Sequence, residues 1–470
     1  MTLFVFLLTM LVFTTVGLAS ATRSRHTKGD YYLASRDVSP ALVGLSAIAT
    51  NNSGYMFIGL MGFTYSLGFA SLWLMVGWIL GDFLTSFFVH RRLREASVRC
   101  QEITFSGTLA AWANPKFTWL RRAGAFITLL FLGAYAAAQF KSGGKALHAI
   151  LHWQPETGAL IVAILVALYC LAGGIRASIW TDAAQSMVMM GAMGVLFSTA
   201  INAVGGLQGA WSGWQNIPGF LDPFPASMGG PVWVSGVLFI VGWLFAGMGT
   251  IGQPHIMVRF MTLDTPRHLL QARLWYYGFY VLFYGLAAGV GLFSRLILPE
   301  LSTLDPELAL PTMAREMLHP AGVGLVLAGI FAATMSTADS LVLSCSAAIT
   351  HDLWPQRFEH PSQLKVVTIA VVLAALFLAW MGPSSVFALV IFAWSALASA
   401  FGPLLWVLAR GHTVGEREAL LMMCSGLTVA LLWRYTGWQD VIYEGLPGML
   451  AGWLVFCLSR WTGEKAEKNA

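Results

Sequence analysis

The sequence predicts an all-α polytopic membrane protein with about thirteen transmembrane helices, on three observations. Of 470 residues, 57% are hydrophobic and only 10% are charged, against about 25% charged in a soluble globular chain. The apolar residues fall in runs of about 20, the length that crosses a bilayer as a helix. The 19 Trp and 48 Gly suit interfacial anchoring and close helix packing. Together these exclude a soluble enzyme, a disordered chain and a disulfide-framed secreted domain. A membrane β-barrel is excluded too, because its strands are runs of about ten residues of alternating polarity.

In chain order the spans are 1–21, 41–63, 67–90, 122–150, 157–175, 181–206, 232–253, 273–297, 321–347, 365–382, 384–409, 418–436 and 445–459. The first ends in Leu18-Ala19-Ser20-Ala21, which looks like a signal-peptidase site. However, no basic residue precedes it, and Arg23, Arg25 and Lys28 follow at once. That charge order predicts an uncleaved span with its N-terminus outside. Thirteen spans then place the C-terminus in the cytoplasm. Of the 27 Lys and Arg, 22 fall in inner loops, and only Arg295, Arg315 and Arg434 fall outside. Lys141 and Lys145 lie within the fourth span. This positive-inside bias points to a multi-pass protein of a cell membrane, a bacterial inner membrane, surrounded by lipid. It also accounts for the pI near 9.0 without a nucleic-acid partner. The five Cys form no CxxC pair, so neither a metal framework nor a disulfide framework is expected. A short surface helix is expected in the inner loop 91–121, and small lids in the outer loops 207–231 and 298–320.

Two spans carry interruptions. Span 41–63 contains Ala49-Thr50-Asn51-Asn52-Ser53-Gly54, four polar residues and a Gly where lipid tolerates neither unless they are buried in protein or line a cavity. Span 232–253 contains Gly247-Met248-Gly249-Thr250-Ile251-Gly252 before Gln253-Pro254, a run that disfavours a regular helix. These are spans two and seven, five apart, hence oppositely oriented. Interrupted helices at matching positions of two opposed repeats point to the binding site of a secondary transporter.

The ninth span adds a polar face. Ala333, Ser336, Thr337, Ser340 and Ser344 share one side of a helix. Their hydroxyls are hard oxygen ligands suited to Na⁺ when carbonyls freed at a helix break join them. Singly, each Ser also fits a bond back to its own helix or to a neighbouring one. Asp339 lies beside this stripe, and a carboxylate there needs a partner, an ion or water. Asp182 sits at the inner end of span 181–206. It reads equally well as a helix-N-terminal carboxylate or as part of an inward cation route with Asp339. Tyr135 and Gln139 share a face of the fourth span. Lys141 fits either an outward snorkel, as does Lys145, or, like Gln139, a contact with an anionic group of the solute. Walker A, HExxH and GxSxG sequences are absent, which removes an ATP-driven pump and the common membrane hydrolases. No enzyme and no organic cofactor is expected.

The chain resembles the sodium:solute symporter family, closest to its bacterial sodium/proline symporters. The resemblance is carried by Lys28-Gly29-Asp30-Tyr31-Tyr32-Leu33-Ala34, Ala49 to Tyr55, Gly173-Gly174-Ile175-Arg176 through Trp180-Thr181-Asp182, Gly252-Gln253-Pro254-His255-Ile256 through Arg259-Phe260-Met261, Ala332 to Ser340, and Ala348 to Leu353. It covers roughly 25–410. It implies a five-plus-five inverted-repeat core like that of the leucine transporter, with repeats at 41–206 and 232–409. Segment 1–21 and the two extra helices with their tail, 418–470, lie outside that core. It also implies a Na⁺ site made of the carbonyls of Ala49, Asn52 and Ala333 and the hydroxyls of Ser336 and Thr337. In some relatives there is a second Na⁺ site, which maps to Asp182, Ser336, Asp339 and Ser340.

Two departures bear on the solute. The sodium/proline symporters have Asp where this chain has Asn51. They also place Trp and Tyr in the seventh-span break, where this chain has Ala246 and Thr250, with Trp243 one turn earlier. Tyr135 matches a substrate-side Tyr. The candidate solute contacts are therefore Asn51, Ser53, Tyr135, Gln139, Lys141, Trp243, Ala246 and Thr250. The expected activity is sodium-coupled import of a small organic solute, an amino acid such as proline or a small carboxylate, by alternating access. The alternatives are a proton-coupled transporter using Asp182 and Asp339, and a solute-sensing receptor without transport. The segment Arg460 to Ala470 offers no signalling domain, which favours transport.

Overall fold

The computed structural model describes residues 1–23, 25, 27–225, 232–303, 305–358, 360–440 and 442–468. Its helices are α1 (Thr2–Ala21), α2 (Lys28–Leu33), α3 (Pro40–Asn51), α4 (Gly54–Phe57), α5 (Gly59–Leu67), α6 (Leu72–Arg99), α7 (Phe105–Ala113), α8 (Thr118–Leu151), α9 (Pro155–Ala203) and α10 (Gly206–Gln215). They continue with α11 (Val232–Met248), α12 (Pro254–Met261), α13 (Leu269–Ile297), α14 (Ala309–Met317), α15 (Pro320–Ala347), α16 (Pro361–Met381), α17 (Val386–Ala409), α18 (Glu416–Tyr435) and α19 (Gly445–Lys468). Among the described residues, β pairing is limited to one isolated parallel bridge between Val38 and Leu263.

The predicted spans fall largely on helix, with exceptions at Asn52, Ser53 and Gln253. Nine stretches among the described residues are long and apolar enough to cross a membrane, and Pro40–Asn51 and Pro155–Leu171 are shorter apolar helices. The most buried spans are Pro320–Leu353 and Val386–Ala409, each with 83% of its apolar window inside the protein, against 22% for α1. So α15 and α17 form the centre, while α1 turns Phe4, Leu7, Leu8 and Leu11 outward.

Predicted spans 157–175 and 181–206 are one helical run, α9, bent at Gly173 and Gly174. Gly174 has φ +58°, and a Cβ there would meet the backbone and ring of Tyr31; both conditions require glycine. The helix expected in 91–121 is α7. It is buried from Phe105 to Ala111 rather than lying on the surface. The expected lids contain α10 and α14; residues 226–231 and 304 of those loops lie outside the described residues, as do 469–470 of the tail.

Both interruptions are real breaks. α3 ends at Asn51, Asn52 leaves the helix at φ −82°, ψ 65°, and extended Ser53 caps α4 by accepting from the Tyr55 N–H. α11 tightens into a 3₁₀ turn over Gly249–Gly252. Gln253 is then extended, and Pro254, which has no N–H to donate, starts α12. The tight turn lies directly against α17, since a Cβ on Gly252 would come within 2.8 Å of the Ala398 Cα.

Candidate ion and solute site

The first break lies against the polar face of α15. Thr337 donates through Oγ1 to the Thr50 carbonyl at 2.8 Å, and the Thr50 and Ser340 hydroxyls lie 3.2 Å apart. Ala49, Asn52, Ala333, Ser336 and Thr337 are all buried. The Ser336 hydroxyl has no hydrogen-bond partner among the described residues. A buried polar atom left in that state needs an explanation, and an oxygen among carbonyls freed by a helix break fits a hard cation such as Na⁺.

Just past the break, Gln139 accepts the Gly54 N–H through Oε1 at 2.9 Å. Tyr135 donates to the Ser53 hydroxyl at 3.2 Å and sets its ring edge-on to His255 of α12, centroids 5.5 Å apart. Gly54 is held between α8 and α15, where a Cβ would come within 2.6 Å of the Thr334 hydroxyl. Around these contacts the side-chain groups of Asn52 (Nδ2), Gln139 (Nε2), Ser142, Thr250, Thr334 and His255 are buried without hydrogen-bond partners among the described residues.

Not every expected solute contact gathers there. Asn51 points the other way, donating through Nδ2 to the Tyr276 hydroxyl at 2.6 Å. Ala246 offers its carbonyl to the Trp394 indole at 2.9 Å. Trp243 lines a cavity of about 650 Å³ with Phe63, Phe239, Phe387, Tyr443 and Glu444. Lys141 lies apart from both breaks. It lines a separate cavity of about 230 Å³ with Lys145, Glu156, Trp380 and Ser384.

Asp182 and Asp339 do come together, around a residue that the charge count had placed in an inner loop. Arg259 of α12 is 1% exposed. Its Nη2 lies 3.4 Å from Asp182 Oδ2 and 3.8 Å from Asp339 Oδ1, and it hydrogen-bonds the Ser178 and Ser340 hydroxyls. Ser46 donates to Asp182 at 2.6 Å and Ser178 to Asp339 at 2.8 Å. Two carboxylates and one guanidinium leave a formal charge of −1 in a buried cluster. Counting Arg259 as loop charge obscured this, although its run GQPHIMVRF was visible.

A second ion network lies near Lys141. Lys145 pairs with Asp305 at 2.7 Å and Glu307 at 2.6 Å. Glu307 also accepts from the Ser385 hydroxyl and from the Val386 and Phe387 N–H groups at the start of α17.

Two broken helices meeting a central polar helix define a secondary transporter of the leucine-transporter-like inverted-repeat class. Comparison with known proteins agrees. A sodium-coupled sialic acid symporter superposes with a TM-score of 0.79 over 97% of this chain and 96% of that one, at 17% identity. The high-affinity proline transporter PutP of Bacillus subtilis is 29% identical over 442 residues, 92% of each chain. A sodium/proline symporter of Staphylococcus aureus is 28% identical over 471 residues, 95% of this chain and 89% of that one. The family model for the sodium:solute symporter family matches residues 31–424. The chain therefore belongs to the sodium:solute symporter family: it is a multi-pass membrane symporter of small organic solutes and not an enzyme.

Proposed function

We propose that the protein uses Na⁺ to import an amino acid such as proline, or a small carboxylate, across a bacterial inner membrane, with its N-terminus outside and its C-terminus in the cytoplasm. The repeats are 41–206 and 232–409, with 1–21 and 418–470 packed outside them. Na⁺ is held by the carbonyls of Ala49, Asn52 and Ala333 and the hydroxyls of Ser336 and Thr337. When bound, the ion draws α3 and α15 together across the break. The solute lies between the breaks against Ser53, Tyr135, Gln139 and Thr250, with Trp243 and Ala246 on the approach. The net-negative cluster of Asp182, Asp339 and Ser340 is a second cation station or the ion's exit, and a cation entering it competes with Arg259 for the same oxygens.

The observation that carries this reading is the unpartnered Ser336 hydroxyl beside the Thr337–Thr50 bond, at the point where α3 loses its helical bonding. The Bacillus and Staphylococcus relatives, a proline transporter and a sodium/proline symporter, favour proline. Without the Trp and Tyr that those symporters place in the second break, the solute wall is altered, so the solute must be found by trial. The test is uptake of a panel of labelled amino acids and carboxylates into proteoliposomes, with and without Na⁺. One or more solutes accumulating only with Na⁺ is expected. Specific binding of a solute without flux would point to a receptor instead.

A further inference from the structure

Asp82 has no part in the function proposed above. It lies in the apolar body of α6 and is 0% exposed. A carboxylate at such a depth marks function more often than structure. The Tyr276 hydroxyl of α13 donates to Asp82 Oδ2 at 2.7 Å. The same hydroxyl accepts from Asn51 Nδ2 at 2.6 Å. Asp82 Oδ1 has no hydrogen-bond partner among the described residues. Three helices are thus joined in a directed relay. Because the single proton of Tyr276 goes to Asp82, its oxygen is left to accept from Asn51, the last helical residue before the α3 break.

The surrounding titratable groups are few. From α13 come Tyr277 and Tyr280, whose rings pack on Tyr276 at 4.8 and 5.6 Å, and Arg273, which bonds the Ser86 carbonyl and lies 5.1 Å over Phe87; Tyr277 and the Arg273 charge also act on Asp82. On α6 itself His90 stacks on Phe260 at 3.9 Å. From α12 come His255, which faces Tyr135, and Arg259, held at Asp182. α7, α11 and α17, which also pack on α6, carry no charged or titratable residue, and the turn Pro266–His268, which packs on α6 too, carries Arg267 and His268, the latter bonded to Asp264.

We infer that Asp82 is a proton-binding site linked through Tyr276 and Asn51 to the cation site at the α3 break. With Asp82 ionised, the bond from Tyr276 is charge-assisted and Asn51 is anchored. One proton taken from water onto the carboxylate neutralises it, weakens that bond and releases the Tyr276 hydroxyl and the Asn51 amide, with no other proton changing place. A charge-assisted hydrogen bond is about twice as strong as a neutral one. A difference of that order corresponds to about a three- to tenfold change in affinity for a cation that needs the anchored break. Linkage is reciprocal: acid weakens Na⁺ binding, and Na⁺ binding expels a proton. The protonation half stands alone, whereas the linkage half rests on the Na⁺ site proposed above.

The test compares the wild-type protein, Asp82→Asn and Tyr276→Phe, each purified full length in detergent. In a pH titration followed by infrared difference spectroscopy, the wild type should show a protonated-carboxyl band that Asp82→Asn lacks and Tyr276→Phe keeps. NaCl or choline chloride is then added in weak buffer with a pH indicator, and binding is followed by tryptophan fluorescence. Na⁺ alone should release a proton from the wild type and not from Asp82→Asn. The half-saturating Na⁺ concentration should rise about three- to tenfold on acidification in the wild type and stay flat in both variants. The same carboxyl band in Asp82→Asn would overturn the proton site. Na⁺ binding with equal proton release in all three proteins would overturn the linkage and leave the transport reading standing. No Na⁺ response at all would overturn the linkage together with that reading, while the infrared result still decides Asp82. Should Asp82→Asn fail to fold, Tyr276→Phe carries the test: it must lose the coupling while keeping the band.

Discussion

Replacing Ser336 by Ala separates an ion ligand from a structural hydroxyl. The Ser336 hydroxyl is fully buried and makes no hydrogen bond among the described residues, so its removal breaks no such bond and leaves no new orphan. The cost to folding should stay within about 0.5 kcal/mol. A hydroxyl facing a cation is worth about 1.5–3 kcal/mol. Its loss should therefore raise the half-saturating Na⁺ concentration about tenfold to a hundredfold. Thr337 provides the contrast. Its hydroxyl also ties α15 to Thr50, so Thr337→Ala should lose about 1 kcal/mol of stability as well as Na⁺ affinity, and Thr337→Ser should retain both. The assay is initial uptake at a fixed solute concentration across a Na⁺ series, with thermal melting of the same preparations. An unchanged Na⁺ response in Ser336→Ala would refute the assignment, as would a loss of stability that accounts for the whole effect.

Three further outcomes follow from buried charge. Arg259→Gln leaves Asp182 and Asp339 without their cation and should cost about 3–5 kcal/mol; adding Asp339→Asn should restore much of it, and simple additivity in thermal melts would argue against the cluster. Glu307→Gln and Lys145→Met should each destabilise the protein by about 2–3 kcal/mol and the pair by less than the sum, as a double-mutant cycle will show. Asp30, in the segment before α3, is affected by burial, which lifts its pKa, but the Arg176 guanidinium, the Arg25 N–H and the Ser35 hydroxyl outweigh that and hold it below the usual carboxylate range. A lowered folded-state pKa gives stability that is complete above the unfolded value, about 3.9, and is lost as pH falls through the folded one. Melting temperature should therefore drop on acidification in that range, with a smaller drop in Asp30→Asn.

The parts of this molecule legible in its sequence are those that local chemistry dictates. Asn51-Asn52-Ser53-Gly54 and the Gly-rich run before Pro254 cannot continue a helix, and both are breaks. The three-and-four spacing of Ser336, Thr337 and Ser340 fixes one face whatever packs on it. The parts that stayed hidden depend on partners far along the chain. Arg259 looked like one more loop cation because charge counting uses position relative to span ends, and only the fold carries it to Asp182 and Asp339. Asn51 looked like a solute contact because it sits in the break, but Tyr276, 225 residues away, turns it aside. Lys141 shares a helix with Tyr135 and Gln139 but faces another cavity. Asp82 carries a readable signal, a carboxylate inside the apolar run Leu72 to Val89.

The central claim is that the Na⁺ gradient drives solute movement through the paired breaks. Its most direct test is accumulation of the transported solute in proteoliposomes under an imposed inward Na⁺ gradient, with an equal K⁺ gradient and an inward proton gradient as the alternatives. Accumulation above equilibrium with Na⁺ alone, abolished when Na⁺ is equal on both sides and the membrane potential is clamped to zero, is the predicted result. Equal accumulation under the K⁺ gradient, or accumulation that follows the proton gradient and ignores Na⁺, would contradict it.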